Sequence, residues 1–257
     1  MTSYIRRTSL AAALGLASFT PAMAQDGVAA ATEAIAAYSG LPSFTAPGPA
    51  FDARACMVGK KIFTIPASSA IPFIKTISDH KNELAARIGF EHMVWENQGN
   101  PTQWIQGIEH AVNNGFQVVS LLAGADPRFF EPQVAAAQAA GVKVVTSHLT
   151  GLEQDAPAGV DAATAIDYRK AGELMANWTI SKTGGKVNAL VLVSNEALST
   201  DSIVSGLTAA FDANCPDCIY EIVNVPIIDW ATKIQPTVAG TLQSNAELNY
   251  VIPIYDS

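Results

Sequence analysis

The chain has 257 residues, with 15 Lys and Arg against 23 Asp and Glu, a formal charge of −8 at neutral pH and 49% hydrophobic residues. So acidic a protein has no electrostatic footing on a polyanion, and nucleic acid is excluded as an expected partner. After the first two dozen residues no run is apolar for long enough to span a bilayer, so no membrane segment is expected there.

Residues 1–24, "MTSYIRRTSLAAALGLASFTPAMA", open with Arg6 and Arg7, continue with an apolar middle from Leu10 to Phe19, and present small residues at Ala22 and Ala24. This is the pattern of a secretory signal peptide cleaved after Ala24. The apolar run falls short of the roughly 20 residues that cross a bilayer. Its removal leaves 13 basic and 23 acidic side chains, a formal charge of −10. The expected product is soluble and periplasmic. Residues 25–58 form a leader of different composition, an alanine-rich helix candidate ("VAAATEAIAAYSG") followed by a stretch rich in Pro and Gly. The leader is expected on the surface of the folded body formed by the later residues, with Cys56 as a small buried hydrophobe.

A rhythm of strands and helices then begins. "KIFTIP" is an apolar run of strand length, and its helix is expected from near Ser69, with Pro72 in the first turn and Gly89 at the end. "EHMVWE" is the second strand. Asn100 and Pro101 supply an N-cap and first helical residue, with Gln103 placed for a capping box. "QVVSLL" is the third strand. Asp126 and Pro127 repeat the capping device for a helix reaching Gly141, and "VKVVTS" is the fourth strand. Strands this apolar, alternating with helices, predict an α/β fold with a parallel sheet covered on both faces. This first lobe is read as residues 59–148.

From His148 to Ile166 the rhythm breaks, as at a passage into a second lobe, residues 149–257. Helices near 167–182 and 199–213, strands "KVNALVLV" and "IYEIVNV", a helix through Leu242 and a strand "YVIPI" complete the series. Pro236 does not belong inside a helix, so that helix is expected either to begin near Gln235 or to come after a separate turn. The chain stops after a strand without the helix the pattern asks for, and the second lobe is read as incomplete. Between the helix "STDSIVSGLTAAFDAN" and the strand "IYEIVNV" lies "CPDC", Cys215 to Cys218. Thioredoxin-type centres place CxxC after a strand and at the start of a helix, where the dipole lowers the thiol pKa. The reversed order here favours a structural disulfide over a redox pair.

In open parallel sheets ligands bind beyond the carboxyl ends of the strands. The residues there are Ser68, Ser69, Phe73, Asn97, Asp126, His148, Ser194, Asn195, Asp201, Trp230, Tyr255 and Asp256. Short polar side chains with aromatics, and no Lys or Arg, suit an uncharged polar ligand whose hydroxyls meet carboxylates and amides while a ring stacks on its apolar face. Several members have a second, purely structural use: Ser68, Ser69 and Asp126 as helix caps, and Asp201 as an acid in the first turn of a helix. The chain has no GxGxxG, GxxxxGK[ST] or GxSxG, and no HExxH, so no cofactor, no metal and no catalytic residue is expected.

The ordered series "KIFTIPASSAIPF", "NPTQWIQGIEHAVNNGFQVVSLLAGAD", "AAAQAAGVKVVTSH" and "DYRKAGELMANW" resembles the type I periplasmic binding proteins, the ribose-binding-like sugar receptors of ABC transporters, from about Gly59 onward. The resemblance implies two α/β lobes that close on a small solute and a membrane permease that reads the closed form. It implies binding without chemistry. In this family an aromatic of the first helix turn and one of the second lobe face the ligand; Phe73 and Trp230 match them, and Tyr255 and Asp256 fall at the polar end of a late strand. Two positions depart from the family pattern. The fourth strand ends in His148-Leu149 where the family has Asp-Arg, and Asp201 stands where a second-lobe arginine is usual. Without those fork-shaped donors a different polyol, a modified sugar, or a small aromatic or cationic solute are the alternatives to a standard pyranose. A sensory module serving a chemoreceptor or kinase, or an exported enzyme on the same architecture, are the alternatives to a transport role. Ser68 and Ser69 are expected to cap the first helix and to face the cleft.

Overall fold

The computed structural model describes residues 21–41, 43–46 and 48–255. The core of the expected signal peptide and Asp256 lie outside these residues. The leader holds a helix α1 (Pro21–Ala36) and a short helix α2 (Ala53–Met57). The first sheet is built from β1 (Lys61–Pro66), β2 (Glu91–Val94), β3 (Val118–Leu122), β4 (Lys143–Gly151) and β5 (Ala162–Ile166), with α3 (Pro72–Ile88), α4 (Pro101–Asn113) and α5 (Glu131–Ala139) between them. The second is built from β6 (Asn188–Val193), β7 (Ile219–Asn224) and β8 (Tyr250–Pro253), with α6 (Tyr168–Thr183) leading in and α7 (Ser199–Asn214) and α8 (Trp230–Ser244) between strands. Every pairing is parallel, in the orders β2-β1-β3-β4-β5 and β7-β6-β8. The α/β class with two parallel sheets is as the sequence predicts.

The two faces of the first sheet differ in chemistry. Phe63, Ile65, Val119, Leu121 and Val144 point toward α4 and α5 and form an apolar core with Trp104, Ile108 and Phe130. On the α3 side Thr64 and Ser120, paired in register, meet polar partners. The Lys81 ammonium donates to Ser120 Oγ at 3.0 Å, and Thr64 Oγ1 bonds His92 Nε2 at 2.8 Å. In the second sheet Ala189, Val191 and Val193 pack against α6 and α7, while Leu190 and Leu192 face Ile234 and Val238 of α8. Close approach of α6 and α7 depends on glycine, since a Cβ on Gly172 would meet the Ile203 carbonyl oxygen and one on Gly206 the Arg169 carbonyl oxygen.

Several expectations need correction. The stretch from His148 to Ile166 does not merely pass between lobes: it extends β4 to Gly151 and supplies β5, so the first sheet runs to Ile166 rather than to residue 148. The α3 helix begins at Pro72 with Ile71 as an N-cap that makes no side-chain bond, so Ser68 and Ser69 do not cap it. Asp126 caps a three-residue 3-10 turn, and α5 starts separately at Glu131. Gln103 Oε1 accepts from the Gln98 N–H at 2.9 Å instead of completing a capping box on Asn100. One helix runs from Trp230 to Ser244 with Pro236 inside it. The missing N–H of Pro236 costs a helical bond there, but apolar contacts of Trp230, Ile234 and Val238 on Leu190 and Leu192 hold both flanking turns. Cys56 is exposed, not buried.

The leader helix does lie on the surface of the folded body, against the second sheet's helices. Ala31 is fully buried in the cluster formed by α6 and α7, Thr32 Oγ1 and Ser181 Oγ share a hydrogen bond of 2.9 Å, and a Cβ on Gly27 would run into the Asn214 carbonyl oxygen. Its C-terminal continuation crosses to the first sheet, where Arg54 Nη2 donates to the Arg87 carbonyl oxygen at 2.6 Å. Cys215 and Cys218 face one another at the α7–β7 turn with Cα atoms 5.3 Å apart, inside the span of a disulfide.

Candidate functional site

Both sheet orders place their topological switch beside the central strand, between β1 and β3 in the first and between β6 and β8 in the second. The carboxyl ends of these strands face one another across a cavity of about 390 Å³. The first sheet contributes Ile71, Phe73 and Ile74 from the end of β1 and start of α3, Ala123 after β3, His148 within β4, and Ile166 of β5. The second contributes Ala197 and Ser199 after β6, Ile227 and Trp230 after β7, and Pro253 to Tyr255 at β8, with Tyr168 and Met175 from α6. The sheets touch at one edge of the cavity. Ile227 packs among Ala67, Ile71, Ile74 and Leu122 of the first sheet, in space left open by Gly99 and Gly124, whose φ angles of 81° and 118° also require glycine.

Of the residues predicted for the site, Phe73, His148, Trp230 and Tyr255 are gathered around this cavity. The Phe73 ring meets the His148 imidazole edge-on, with centroids 5.3 Å apart and an interplanar angle of 79°. Trp230 and Tyr255 stack at 5.7 Å on the opposite wall. Their polar tips are held from behind: Trp230 Nε1 donates to Ser194 Oγ at 2.9 Å, and Tyr255 OH bonds Ser199 Oγ at 3.1 Å and Thr200 Oγ1 at 2.9 Å. His148 and Ala123, both lining the cavity, have left-handed backbones with φ of 53° and 56°. For residues with a Cβ this costs about 1–2 kcal/mol each, a strain of the kind that collects at binding sites.

The other predicted residues are elsewhere. Ser68 is buried and accepts from the Ala70 N–H at 3.3 Å, while Ser69 Oγ accepts from the Asn97 N–H at 3.0 Å, so both serine hydroxyls tie the loop after β1 to its neighbours. Asp126 is fully buried, accepting from the Arg128 N–H and pairing with the Arg128 guanidinium, and does not reach the cavity. Asp201 is exposed in the first turn of α7. Of the expected collar of short polar side chains and aromatics, the aromatics and His148 line the cavity, while Asp126 and Asp201 do not. The wall residues that sequence reasoning missed include Ile71, Ile166, Tyr168, Ser199 and Ile227. Tyr168 and Ser199 open helices that directly follow a strand, the same rule that found Phe73.

The local field is set by a partly buried lysine. Burial lowers the Lys81 ammonium to about 8, because no carboxylate accompanies it into the interior. Burial, and then the Lys81 charge, push His148 below the ordinary histidine value and take His92 down to about 4. Burial raises the Tyr168 and Tyr255 phenols. At neutral pH the titratable groups that line the cavity among the described residues, His148, Tyr168 and Tyr255, are uncharged.

Residues 62–257 match the family model of the periplasmic binding protein domain. This chain belongs to the periplasmic binding protein family. No curated protein matches it in sequence. Among solved structures, this periplasmic binding protein is similar to an ABC transporter solute-binding protein from Mycobacterium smegmatis with bound glycerol, at 23% identity and a TM-score of 0.64, covering 76% of this chain and 66% of that one. It is similar also to one from Clostridium phytofermentas with bound L-rhamnose, at 13% identity and a TM-score of 0.68, covering 77% of this chain and 61% of that one. A third, from Burkholderia graminis in complex with D-arabinose, is 17% identical with a TM-score of 0.64, covering 77% and 66%. The chain spans about two thirds of the length of these structures. At such identities the likeness is one of fold, the type I periplasmic binding protein fold with two parallel sheets.

Proposed function

We propose that this protein is a periplasmic solute receptor that holds a small uncharged ligand between its two lobes and delivers it to the membrane permease of an ABC transporter. The observation that carries the reading is a cavity formed jointly by the carboxyl ends of both sheets, with aromatic rings on each wall. A guest bridging the two walls favours the closed arrangement over the open one by its differential contacts, and closure is what a permease can read. The solved relatives of the same fold, described as holding glycerol, L-rhamnose and D-arabinose, support a solute of this size.

The reading includes export: the signal segment is removed after Ala24, and in the oxidising periplasm Cys215 and Cys218 are joined. It includes no catalytic step. Lobe boundaries at the leader (25–58), after Ile166 and at the second sheet belong to the same proposal. Calorimetric titration of residues 25–257 with a panel of sugars, polyols and ring alcohols tests it. A saturable one-to-one isotherm with at least one member, accompanied by a more compact scattering profile, is the expected result; a panel without any heat of binding rejects the receptor reading.

A further inference from the structure

We propose that the cleft is built for a neutral solute carrying an aromatic or alicyclic ring and only one or two hydroxyls, not for a hydroxyl-rich sugar. This rests on the receptor reading above and specifies the ligand of that same cavity. Five rings face the space: Phe73, His148, Tyr168, Trp230 and Tyr255. Between them lie isoleucines and alanines from both sheets, and no Asp, Glu, Asn, Gln, Lys or Arg lines it among the described residues.

The polar atoms that do line the cavity are largely engaged. Tyr255 OH bonds both Ser199 Oγ and Thr200 Oγ1, the Thr200 hydroxyl also donates to the Ser194 carbonyl oxygen at 2.6 Å, and the Trp230 indole N–H is taken by Ser194 Oγ and the Val225 carbonyl oxygen. His148 is different, since its ring nitrogens make no hydrogen bond among the described residues while its ring face is fixed by Phe73. One neutral imidazole can accept from, or donate to, one ligand hydroxyl. A sugar with a hydroxyl on nearly every carbon would leave most of them desolvated and unpaired, a penalty that its few apolar faces do not offset. A ring with a single hydroxyl loses little, because its faces stack on Trp230 and Phe73 and its oxygen reaches His148. Charge is disfavoured in both signs, since among the described residues neither a carboxylate nor a Lys or Arg side chain lines the space.

Tryptophan fluorescence and calorimetry on residues 25–257 test this with phenol, benzyl alcohol and cyclohexanol as neutral ring alcohols, benzoate and benzylamine as charged counterparts, D-ribose and L-rhamnose as sugars, and benzene as the bare ring. The neutral ring alcohols should bind at least tenfold more tightly than either sugar or either charged probe. Phenol should exceed benzene at least fivefold, and His148→Phe, which keeps a ring in the wall, should abolish that preference without a change in the circular dichroism spectrum. Trp230→Ala should weaken all ring probes at least tenfold. Tighter binding of a sugar or of a charged probe overturns the ligand class and leaves the receptor reading standing. Absence of binding by every probe overturns both.

Discussion

Trp230 and Tyr255 stack 5.7 Å apart with planes 28° from parallel, and each is pinned from behind by a hydroxyl of a neighbouring strand end or helix start. The pair comes from the ends of β7 and β8, on either side of β6, so one side chain from each flank of the central strand closes the second lobe's wall. Tyr255→Phe keeps the stack and removes only the hydroxyl, leaving Ser199 Oγ without that partner. A loss of about 1 kcal/mol in urea unfolding is expected, with ring-ligand affinity unchanged within about twofold. A tenfold loss of affinity would show that the hydroxyl itself serves the ligand.

The contact of α6 with α7 sets two opposing effects against each other. Alanine is the better helix former by about 1 kcal/mol, yet at Gly172 or Gly206 its Cβ meets a backbone carbonyl that cannot move aside. Overpacking of this kind costs about 1–3 kcal/mol, and against backbone the upper end applies. Gly172→Ala and Gly206→Ala should therefore each destabilise by about 1–2 kcal/mol net. Gly240→Ala, in an exposed turn of α8 with nothing within 4 Å, should stabilise by about 0.5–1 kcal/mol. Chemical denaturation of the three variants decides it.

Lys81 predicts a two-limbed pH dependence. His92 and His148 are lowered on folding, so between their folded values and about 6.5 the unfolded chain binds more protons. Their contribution is complete above about 6.5 and is lost as pH falls below it, the His92 part by about pH 4, on the order of 1–2 kcal/mol after allowance for partial solvent access. Lys81 is lowered to about 8 from 10.5, so stability rises again as pH increases across that interval. Lys81→Met should flatten the alkaline limb, raise stability at pH 7 by about 1 kcal/mol, and move the His148 titration upward in an NMR pH series. A His148 titration that stays in place would show that burial alone sets it.

Docking of α1 depends on Ala31. Ala31→Asp places a charge in a fully buried position, and the helix is expected to detach at a cost of about 2–3 kcal/mol. Limited proteolysis should then cut within residues 37–52 at a faster rate while the two sheets keep their circular dichroism signal.

A disulfide between Cys215 and Cys218 closes a loop of four residues, for which chain entropy gives a stabilisation of about 2 kcal/mol. Reductant should lower the unfolding midpoint accordingly, and Cys218→Ser should be insensitive to it. Equal midpoints with and without reductant would place the two thiols in the reduced form.

Much of this molecule was legible in residue order. Near-continuous apolar runs such as Lys61–Pro66 and Asn188–Val193 announced buried parallel strands, and glycines after Ile88 and Thr183 announced helix ends. The strand β5 was not legible, because Ala162–Ile166 is alanine-rich and mostly exposed and carries neither the branched residues nor the apolar run of its neighbours. Tyr168 was missed along with it, as its place at a strand end depended on a strand that had not been recognised. The carboxylates failed for another reason. Asp126 and Asp201 occupy helix starts, where capping and the dipole retain an acid whether or not a ligand is near, so position alone could not separate the two uses.

By itself, then, the order of residues determined the α/β class, the parallel sheets and the rule that strand ends and helix starts face a common cleft, because hydrophobic period and capping chemistry are local properties of the chain. Only the tertiary structure decided which side chains reach that cleft and how polar it is. Whether the Tyr255 hydroxyl points into the cavity or back to Ser199 and Thr200 depends on contacts between residues dozens of positions apart, and no local pattern records them.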